Sequence, residues 1–154
     1  MHTFFEQEYP KYEKSLFLIA LSYLHNTEDA RDALQEAALA AFRAMDTLKN
    51  KDYFKTWLTR ILINRCKNIL KSRRVTEELR DDMGLFSNVP EAELEIVDAI
   101  CRMKKDRAIY ISLRFYNDMN YEEVAKALKQ PVSTVKYRTK KALEELKTLL
   151  EGDV

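Results

Sequence analysis

Cationic side chains gather in two blocks of this 154-residue chain, and acids are absent from both. The first block runs from Lys129 to Lys141 and holds five Lys or Arg, and the second, residues 60–74, holds six. Three aromatic residues, Tyr53, Phe54 and Trp57, precede the second block. Positive charge follows a phosphate backbone and aromatic rings stack on unpaired bases. Both blocks therefore predict contact with nucleic acid, and the competing interpretation is a pair of solvated helix faces.

The first block belongs to a segment, residues 120–150, with the pattern of two short helices and a tight turn. Asn120 and Glu123 form a capping-box pattern ahead of the first helix. The pair Gln130-Pro131 interrupts the helical period, and Ser133 is the expected N-cap of the second helix. At 100° per residue, that second helix separates an apolar side from a basic one. The apolar side comprises Val135, Thr139, Ala142 and Leu146.

Two helices of this kind form a helix-turn-helix, in which the second helix enters the major groove of duplex DNA. DNA binding is favoured over a solvated face because the acid-free run lies on the helix where the motif places its contacts. The candidate contacts are Ser133, Thr134, Lys136, Tyr137, Arg138, Lys140 and Lys141.

The rest of the chain is also predicted to be helical, because apolar residues recur with helical period and no strand alternation is found. A first long helix is expected after Pro10, and a second from a Thr27 cap to about Asp46. A third is expected from near Tyr53 to Arg74, and it carries the second basic block. Phe54 and Trp57 lie on its apolar stripe, which favours core positions for both.

The chain is predicted to be all-α, with two small helical domains joined by a flexible linker. Residues 1–74 form the first domain, residues 75–90 the linker and residues 91–154 the second domain, with a helix start at Pro90-Glu91. The net charge of +1 conceals this division. The balance is +4 over residues 1–74, −5 over residues 75–106 and +2 over residues 107–154. A near-neutral total is therefore compatible with binding to nucleic acid.

Acidic side chains mark one side of the predicted second helix, where Asp29, Asp32 and Glu36 stand at i, i+3 and i+7. A di-iron site is excluded, because the chain has no Glu-x-x-His partner and its only histidines are His2 and His25. A docking face for a partner protein is the better interpretation.

Catalysis finds no support in the sequence, which has no glycine-rich phosphate loop and no nucleophile with a plausible base. No catalytic residue, metal or cofactor is predicted, and Cys66 and Cys101 are expected to be reduced thiols. The chain lacks an apolar run of roughly 20 residues and a signal-like N-terminus. A cytoplasmic protein is therefore expected.

The order of these segments resembles the extracytoplasmic-function group of bacterial RNA polymerase sigma factors. Residues 29–48, DARDALQEAALAAFRAMDTL, are similar to the region-two helix that docks on the clamp helices of the polymerase beta-prime subunit. The polymerase contacts implied by this resemblance are Asp29, Asp32, Gln35 and Glu36.

Residues 53–74, YFKTWLTRILINRCKNILKSRR, resemble the adjoining segment that recognises and melts the minus-ten promoter element. The contacts to the opened strand implied by this resemblance are Lys55, Trp57, Arg60, Asn64 and Lys67. Among them, Asn64 and the loop around residues 49–55 would hold a flipped base.

Residues 121–146, YEEVAKALKQPVSTVKYRTKKALEEL, are similar to region four, which recognises the duplex minus-thirty-five element. Glycine is frequent in the family where Lys129 and Ser133 stand, which predicts a strained or differently capped turn. Tyr137, Lys140 and Lys141 also depart from the usual residues, and lysine lacks the bidentate fork that arginine presents to guanine. These departures leave the expected fold unchanged, and the resemblance does not determine the promoter sequence recognised.

The resemblance implies a dissociable promoter-specificity subunit. Its implied partners are core RNA polymerase, through the beta-prime clamp and the beta flap, promoter DNA and an anti-sigma factor. A stand-alone helix-turn-helix regulator of duplex DNA, dimeric in form, is the second hypothesis, and a helical adaptor that binds only proteins is the third. The promoter-specificity subunit is distinguished from the stand-alone regulator by Asp32, Gln35 and Glu36, because a simple repressor needs no polymerase-docking face.

Overall fold

Helices make up most of the backbone that the computed structural model describes, residues 2–76 and 94–152. They are α1 (His2–Leu24), α2 (Thr27–Arg43), α3 (Phe54–Thr76), α4 (Leu94–Arg102), α5 (Lys105–Ile111), α6 (Tyr121–Leu128) and α7 (Val132–Glu151). Two 3₁₀ turns, Met45–Thr47 and Lys51–Tyr53, join α2 to α3, and a π-helical segment, Ser112–Tyr116, continues α5. The predicted all-α class is confirmed. The start at Pro90-Glu91 and most of the predicted linker lie outside the described residues.

Helices α1, α2 and α3 pack on one another as the predicted bundle. Leu16 and Ile19 of α1, Ala33 of α2, and Leu58 and Leu62 of α3 are all completely or almost completely buried. Burying a large aliphatic side chain contributes about 1.5–3 kcal/mol, so these positions supply much of the stability of the N-terminal half.

Helix α1 begins well before Pro10, and the prediction of a start after that proline was wrong. A proline inside a helix costs about 3 kcal/mol, because it removes a backbone hydrogen bond and crowds the preceding turn. Aromatic packing offsets this cost: Phe5 stacks on Tyr9 at a centroid distance of 5.2 Å and meets Phe42 and Phe54 edge-on at 5.4 and 5.9 Å. Two of these partners come from other helices, so a local pattern did not reveal them.

The N-cap of α2 is Asn26, and the predicted Thr27 cap was wrong. The side-chain oxygen of Asn26 accepts a hydrogen bond from the amide of Asp29 at 2.8 Å, while Thr27 is the first helical residue and is buried. Asparagine and threonine both cap helices well, and the packing of Thr27 decides between them. The helix ends at Arg43, slightly short of the predicted end, because the chain tightens into the first 3₁₀ turn.

In the C-terminal half, the predicted capping box before α6 is confirmed. Asn120 accepts from the Glu123 amide at 2.8 Å, and the Glu123 carboxylate accepts from the Asn120 amide at 3.0 Å. Helix α6 ends at Lys129, which adopts the left-handed conformation with φ 56° and ψ 49°. The predicted Ser133 cap was wrong: Pro131 holds the N-cap position of α7 without a side-chain bond, and Ser133 lies within the first turn. A strained and differently capped turn was therefore correctly expected.

The two halves pack against each other, since α1 and α3 contact α5, the π-helical segment and α6. Hydrogen bonds cross this boundary, from the Ser15 hydroxyl to the Asn117 side-chain oxygen at 2.8 Å and from the Lys55 ammonium to the Asp118 carbonyl at 3.0 Å. The buried residues of both halves belong to one continuous hydrophobic cluster.

Candidate nucleic-acid and protein-docking surfaces

Helix α7 has the two faces that the sequence predicts. Val135, Thr139 and Ala142 are buried against the rest of the C-terminal half, and Leu146 is half-buried. Among the candidate contacts, Thr134 and Lys141 are half-buried. The exposed candidates are Ser133, Lys136, Tyr137, Arg138 and Lys140. Helix α7 thus presents a cationic surface with a tyrosine, 62% exposed, at its centre.

Two lysines of this surface are held near aromatic rings. The Lys136 ammonium lies 5.8 Å from the ring centroid of Tyr121, and the Lys141 ammonium lies 5.6 Å from that of Tyr137. Lys141 also lies 3.7 Å from the Glu144 carboxylate, one turn further along the helix. Cation–π contacts at exposed sites contribute about 0.5–1 kcal/mol, which is enough to bias the orientation of the two lysine side chains.

Arg138 is oriented by a residue that the sequence analysis did not single out. Tyr110 of α5 is only 2% exposed, yet its hydroxyl reaches the surface of α7. It donates to the Gln130 side-chain oxygen at 2.8 Å and accepts from the Arg138 guanidinium at 3.2 Å. Tyr110 therefore connects the turn of the helix-turn-helix to the helix that follows it. Its position on an apolar stripe made it indistinguishable from an ordinary core aromatic residue.

Helix α3 brings three of the predicted strand contacts to one face. Arg60, Asn64 and Lys67 stand at i, i+4 and i+7 and are all exposed. Trp57 is half-buried, and its ring lies 6.1 Å from that of the buried Phe54, so it is partly a core residue. Lys55 stands apart from the other predicted contacts, because its ammonium bonds to the Asp118 carbonyl in the C-terminal half.

The basic block on α3 is not wholly open to a ligand. Arg73 forms an ion pair with Asp29 of α2 and donates to the Leu24 carbonyl at 2.9 Å. This contact joins the C-terminal part of α3 to the N-terminus of α2. The predicted polymerase contact Asp29 is consequently engaged within the molecule.

The other acidic positions of α2 form an open face. Asp32, Gln35 and Glu36 are exposed. Leu39 extends this face by one turn, and its side chain is 50% exposed. Leu39 is not among the predicted contacts, because a single apolar residue outside the buried stripe is not by itself a signal for a docking surface.

Both cysteines are free thiols. Cys66 is buried and Cys101 half-buried, and neither forms a disulfide. Burial raises the pKa of the Cys66 thiol to about 12, so it stays protonated at neutral pH.

Within the described ranges there is no group of three or more His, Cys, Asp or Glu side chains placed to hold a metal ion. None of the described helices is long and apolar enough to cross a membrane.

Two family models match the chain. Sigma-70 region 2 matches residues 9–76, and sigma-70 region 4 matches residues 93–146. The first match spans the α1–α3 bundle and the second the C-terminal helices, so together they cover most of the described structure.

Curated relatives match over most of their own length. The chain is 26% identical to the RNA polymerase sigma-H factor of Pseudomonas aeruginosa, covering 92% of this chain and 83% of that protein. It is 24% identical to the RNA polymerase sigma factor SigV of Bacillus subtilis, over 90% and 86% of the two chains. It is 27% identical to the ECF RNA polymerase sigma-E factor of Escherichia coli K12, over 87% and 85%.

Solved structures share the fold. A sigma factor RpoE from Bartonella quintana, crystallised with the anti-sigma factor NepR, superposes with a TM-score of 0.75 at 24% identity, over 97% of this chain and 98% of the other. CnrH, in complex with the cytosolic domain of CnrY, superposes with a TM-score of 0.70 at 24% identity, over 97% and 89%.

Proposed function

Because the chain belongs to the sigma-70 family, as a member of its extracytoplasmic-function group, we propose a role in promoter recognition for each of its exposed faces. The protein is a promoter-specificity subunit of bacterial RNA polymerase and is not itself an enzyme. It recognises a minus-thirty-five element as duplex and a minus-ten element as an opened strand. The region 2 match disfavours the stand-alone regulator, which would need only the C-terminal half.

Helix α7 is the proposed reader of the minus-thirty-five duplex. The observation that carries this assignment is its cationic outer face, which is preformed and backed by the buried Val135 and Thr139. A rigid helix presents side chains to base edges in the major groove without first paying to order them. Arg138 is the one arginine of this face and is suited to bidentate contact with guanine.

Helix α3 is the proposed reader of the minus-ten strand, through Arg60, Asn64 and Lys67. Extruding a base from duplex DNA costs a few kcal/mol, and contacts to the flipped base and the backbone offset that cost. No nucleotide hydrolysis is required, because a protein that binds opened DNA more tightly than duplex shifts the equilibrium by differential affinity. The synthesis of RNA is the work of the polymerase.

Helix α2 is the proposed docking face for the beta-prime clamp of core polymerase, through Asp32, Gln35, Glu36 and the exposed Leu39. The three polar side chains can supply hydrogen bonds and charge complementarity to a partner, and Leu39 adds apolar area at the end of the same face. The beta flap is the proposed second polymerase contact, made by the C-terminal half.

We also propose that the protein acts in the bacterial cytoplasm, where its polymerase is, and that an anti-sigma factor controls it. Of two structures that share this fold, one is a sigma factor bound to an anti-sigma factor, and the other is CnrH bound to the cytosolic domain of CnrY. Those complexes support a proposed inhibitor that binds this chain also.

The test of the polymerase-docking face is Asp32→Lys. Asp32 is exposed on α2, so the charge reversal leaves the fold intact and opposes the proposed contact. We expect the variant to lose co-purification with core polymerase while its thermal unfolding is unchanged. Glu13→Lys makes the same charge change at an exposed position of α1 and serves as the control. If the Asp32 variant binds polymerase as well as the control does, the docking assignment is wrong.

A further inference from the structure

A cavity of about 450 Å³ is lined by residues of α1, the N-terminal end of α3 and the chain just after the π-helical segment. Its volume lies in the range of small-molecule sites, roughly 300–1,000 Å³. Of the polymerase and promoter contacts predicted from the sequence, only Lys55 lines it. The proposed function therefore leaves the cavity unexplained.

The cavity is positively charged, because three lysines from two helices line it. Lys11 and Lys14 stand one turn apart on α1, and Lys55 is on α3. Each ammonium has three donor hydrogens. The Lys11 ammonium bonds to the Glu8 carboxylate at 2.7 Å and the Lys55 ammonium to the Asp118 carbonyl at 3.0 Å, so both retain donors for a ligand. The described lining has three cations and one acid, Asp118, which favours an anion with more than one charge.

Two tyrosines give the same cavity a surface for a flat ring. The Tyr12 ring packs at a tilt on the buried ring of Phe54, at a centroid distance of 6.1 Å. Tyr116 ends the π-helical segment and is 37% exposed, and the buried Leu18 adds apolar lining. Aromatic side chains stack on bases of every type, because each base has a π face. Rings and ammonium groups in one cavity match the two parts of a nucleotide.

The polar residues of the lining differ in what they offer a ligand. The Ser15 hydroxyl donates to the Asn117 side-chain oxygen at 2.8 Å, and the Asn117 nitrogen donates to the Thr59 hydroxyl at 2.9 Å, so these groups fix the wall of the cavity. Asp118 is exposed, and its backbone carbonyl, not its carboxylate, accepts from Lys55. Acidic side chains accept from ribose hydroxyls in dinucleotide sites, and the Asp118 carboxylate is suited to the same contact.

We propose that this cavity binds a nucleotide that carries a diphosphate. The lysine ammonium groups donate to the phosphate oxygens, the base stacks on the ring of Tyr12 or Tyr116, and the Asp118 carboxylate accepts from the ribose. A diphosphate matches the excess of cations better than a single phosphate does, and the base uses rings that an inorganic anion leaves uncovered. The inference goes beyond the proposed function and does not depend on it, because the site belongs to the free chain.

The test is calorimetric titration of the full chain with ADP as the probe, in a buffer without divalent cations. We expect saturable binding of one ADP per chain. Lys14→Glu reverses an exposed charge at the cavity and should weaken ADP binding by about tenfold or more. Lys140→Glu makes the same change on the basic surface of α7, outside the cavity, and should leave ADP binding unchanged. Lys14→Arg keeps the charge and should bind ADP as the wild type does.

A second variant separates the ring contact from the phosphate contact. Tyr116→Ala should weaken ADP binding by about tenfold through lost stacking, and it should leave the binding of inorganic pyrophosphate unchanged. Lys14→Glu, in contrast, should weaken both ligands. Tyr116→Phe keeps the ring and should retain ADP binding. Thermal unfolding of each variant shows whether the fold is intact.

Three results would overturn the nucleotide site. They are the absence of saturable ADP binding to the wild type at millimolar concentration, an equal loss of ADP binding in Lys14→Glu and Lys140→Glu, and pyrophosphate binding as tight as that of ADP. The second result would place the anion on the basic surface of α7. The titration contains neither polymerase nor DNA, so failure of the proposed function would appear separately, as absent transcription with core polymerase.

Discussion

One hydroxyl, that of Tyr110, links the core to the proposed DNA-binding surface of α7. Its ring is almost completely buried, and its oxygen bonds both to Gln130 in the turn and to Arg138 on α7. An arginine side chain loses about 2 kcal/mol of rotamer entropy when it is fixed, and a fixed partner in the free protein removes part of this cost on binding. Tyr110 is therefore a positioning residue for Arg138.

Tyr110→Phe removes the hydroxyl and keeps the buried ring. We expect polymerase carrying this variant to bind promoter DNA about 3- to 10-fold more weakly, because Arg138 is no longer preorganised, a loss of roughly 1 kcal/mol. Binding is measured by titration of duplex promoter DNA at constant salt. In an Arg138→Ala background the same change should have no further effect, and full additivity of the two changes would contradict the positioning role.

At the scale of the element, the helix-turn-helix is built around a residue in an unfavourable conformation. Lys129 ends α6 with φ 56°, where a glycine carries no steric penalty. Its side chain is exposed, and α7 begins three residues later. The strain is local, because the capping box at the other end of α6 is fully formed.

Lys129→Gly should stabilise the protein by about 1 kcal/mol, since it removes the left-handed penalty and loses no buried contact. Chemical denaturation of the full chain measures the change. Lys126→Gly is the matched control, because Lys126 is an exposed lysine inside α6. This replacement should lower the free energy of unfolding by about 1 kcal/mol. A loss of stability in both variants would mean that Lys129 is not left-handed in solution.

At the scale of the whole molecule, one asparagine contributes to the packing of both halves. Asn117 bonds to α1 and α3 and also donates to the Met119 sulfur at 3.2 Å. Its removal leaves the hydroxyls of Ser15 and Thr59 without a cross-helix partner, although each has a carbonyl of its own helix within reach as an acceptor. The loss in the free energy of unfolding should therefore be moderate, and it should weaken the contact between the halves.

Asn117→Ala should lower the free energy of unfolding by about 1–3 kcal/mol, the cost of removing one partner from buried hydrogen bonds. It should also increase the radius of gyration measured by solution X-ray scattering, because the halves separate more often. Asn68→Ala, at an exposed position of α3, should change neither quantity. An unchanged radius together with lost stability would indicate that Asn117 stabilises the fold without holding the halves together.

The fold class, the bundle and the faces of α7 followed from the sequence because they depend on local periodicity. Apolar residues at helical spacing determine which side of a helix is buried, and Val135, Thr139 and Ala142 are buried as that spacing predicts. Capping was predicted less well. Asn26 and Thr27 are both good caps, and only the packing of Thr27 shows which one is used.

By itself, the sequence determined that this protein is helical, has two basic surfaces and an acidic one, and resembles sigma factors in three separate segments. The tertiary structure decided which of those charges remain available. Arg73 and Asp29 neutralise each other, Lys55 is bonded across the halves, and Tyr110 orients Arg138 from within the core. These partners are separated by 28 to 63 residues. Periodicity reports only neighbours within a few turns, so contacts at such distances in the chain depend on how the helices pack.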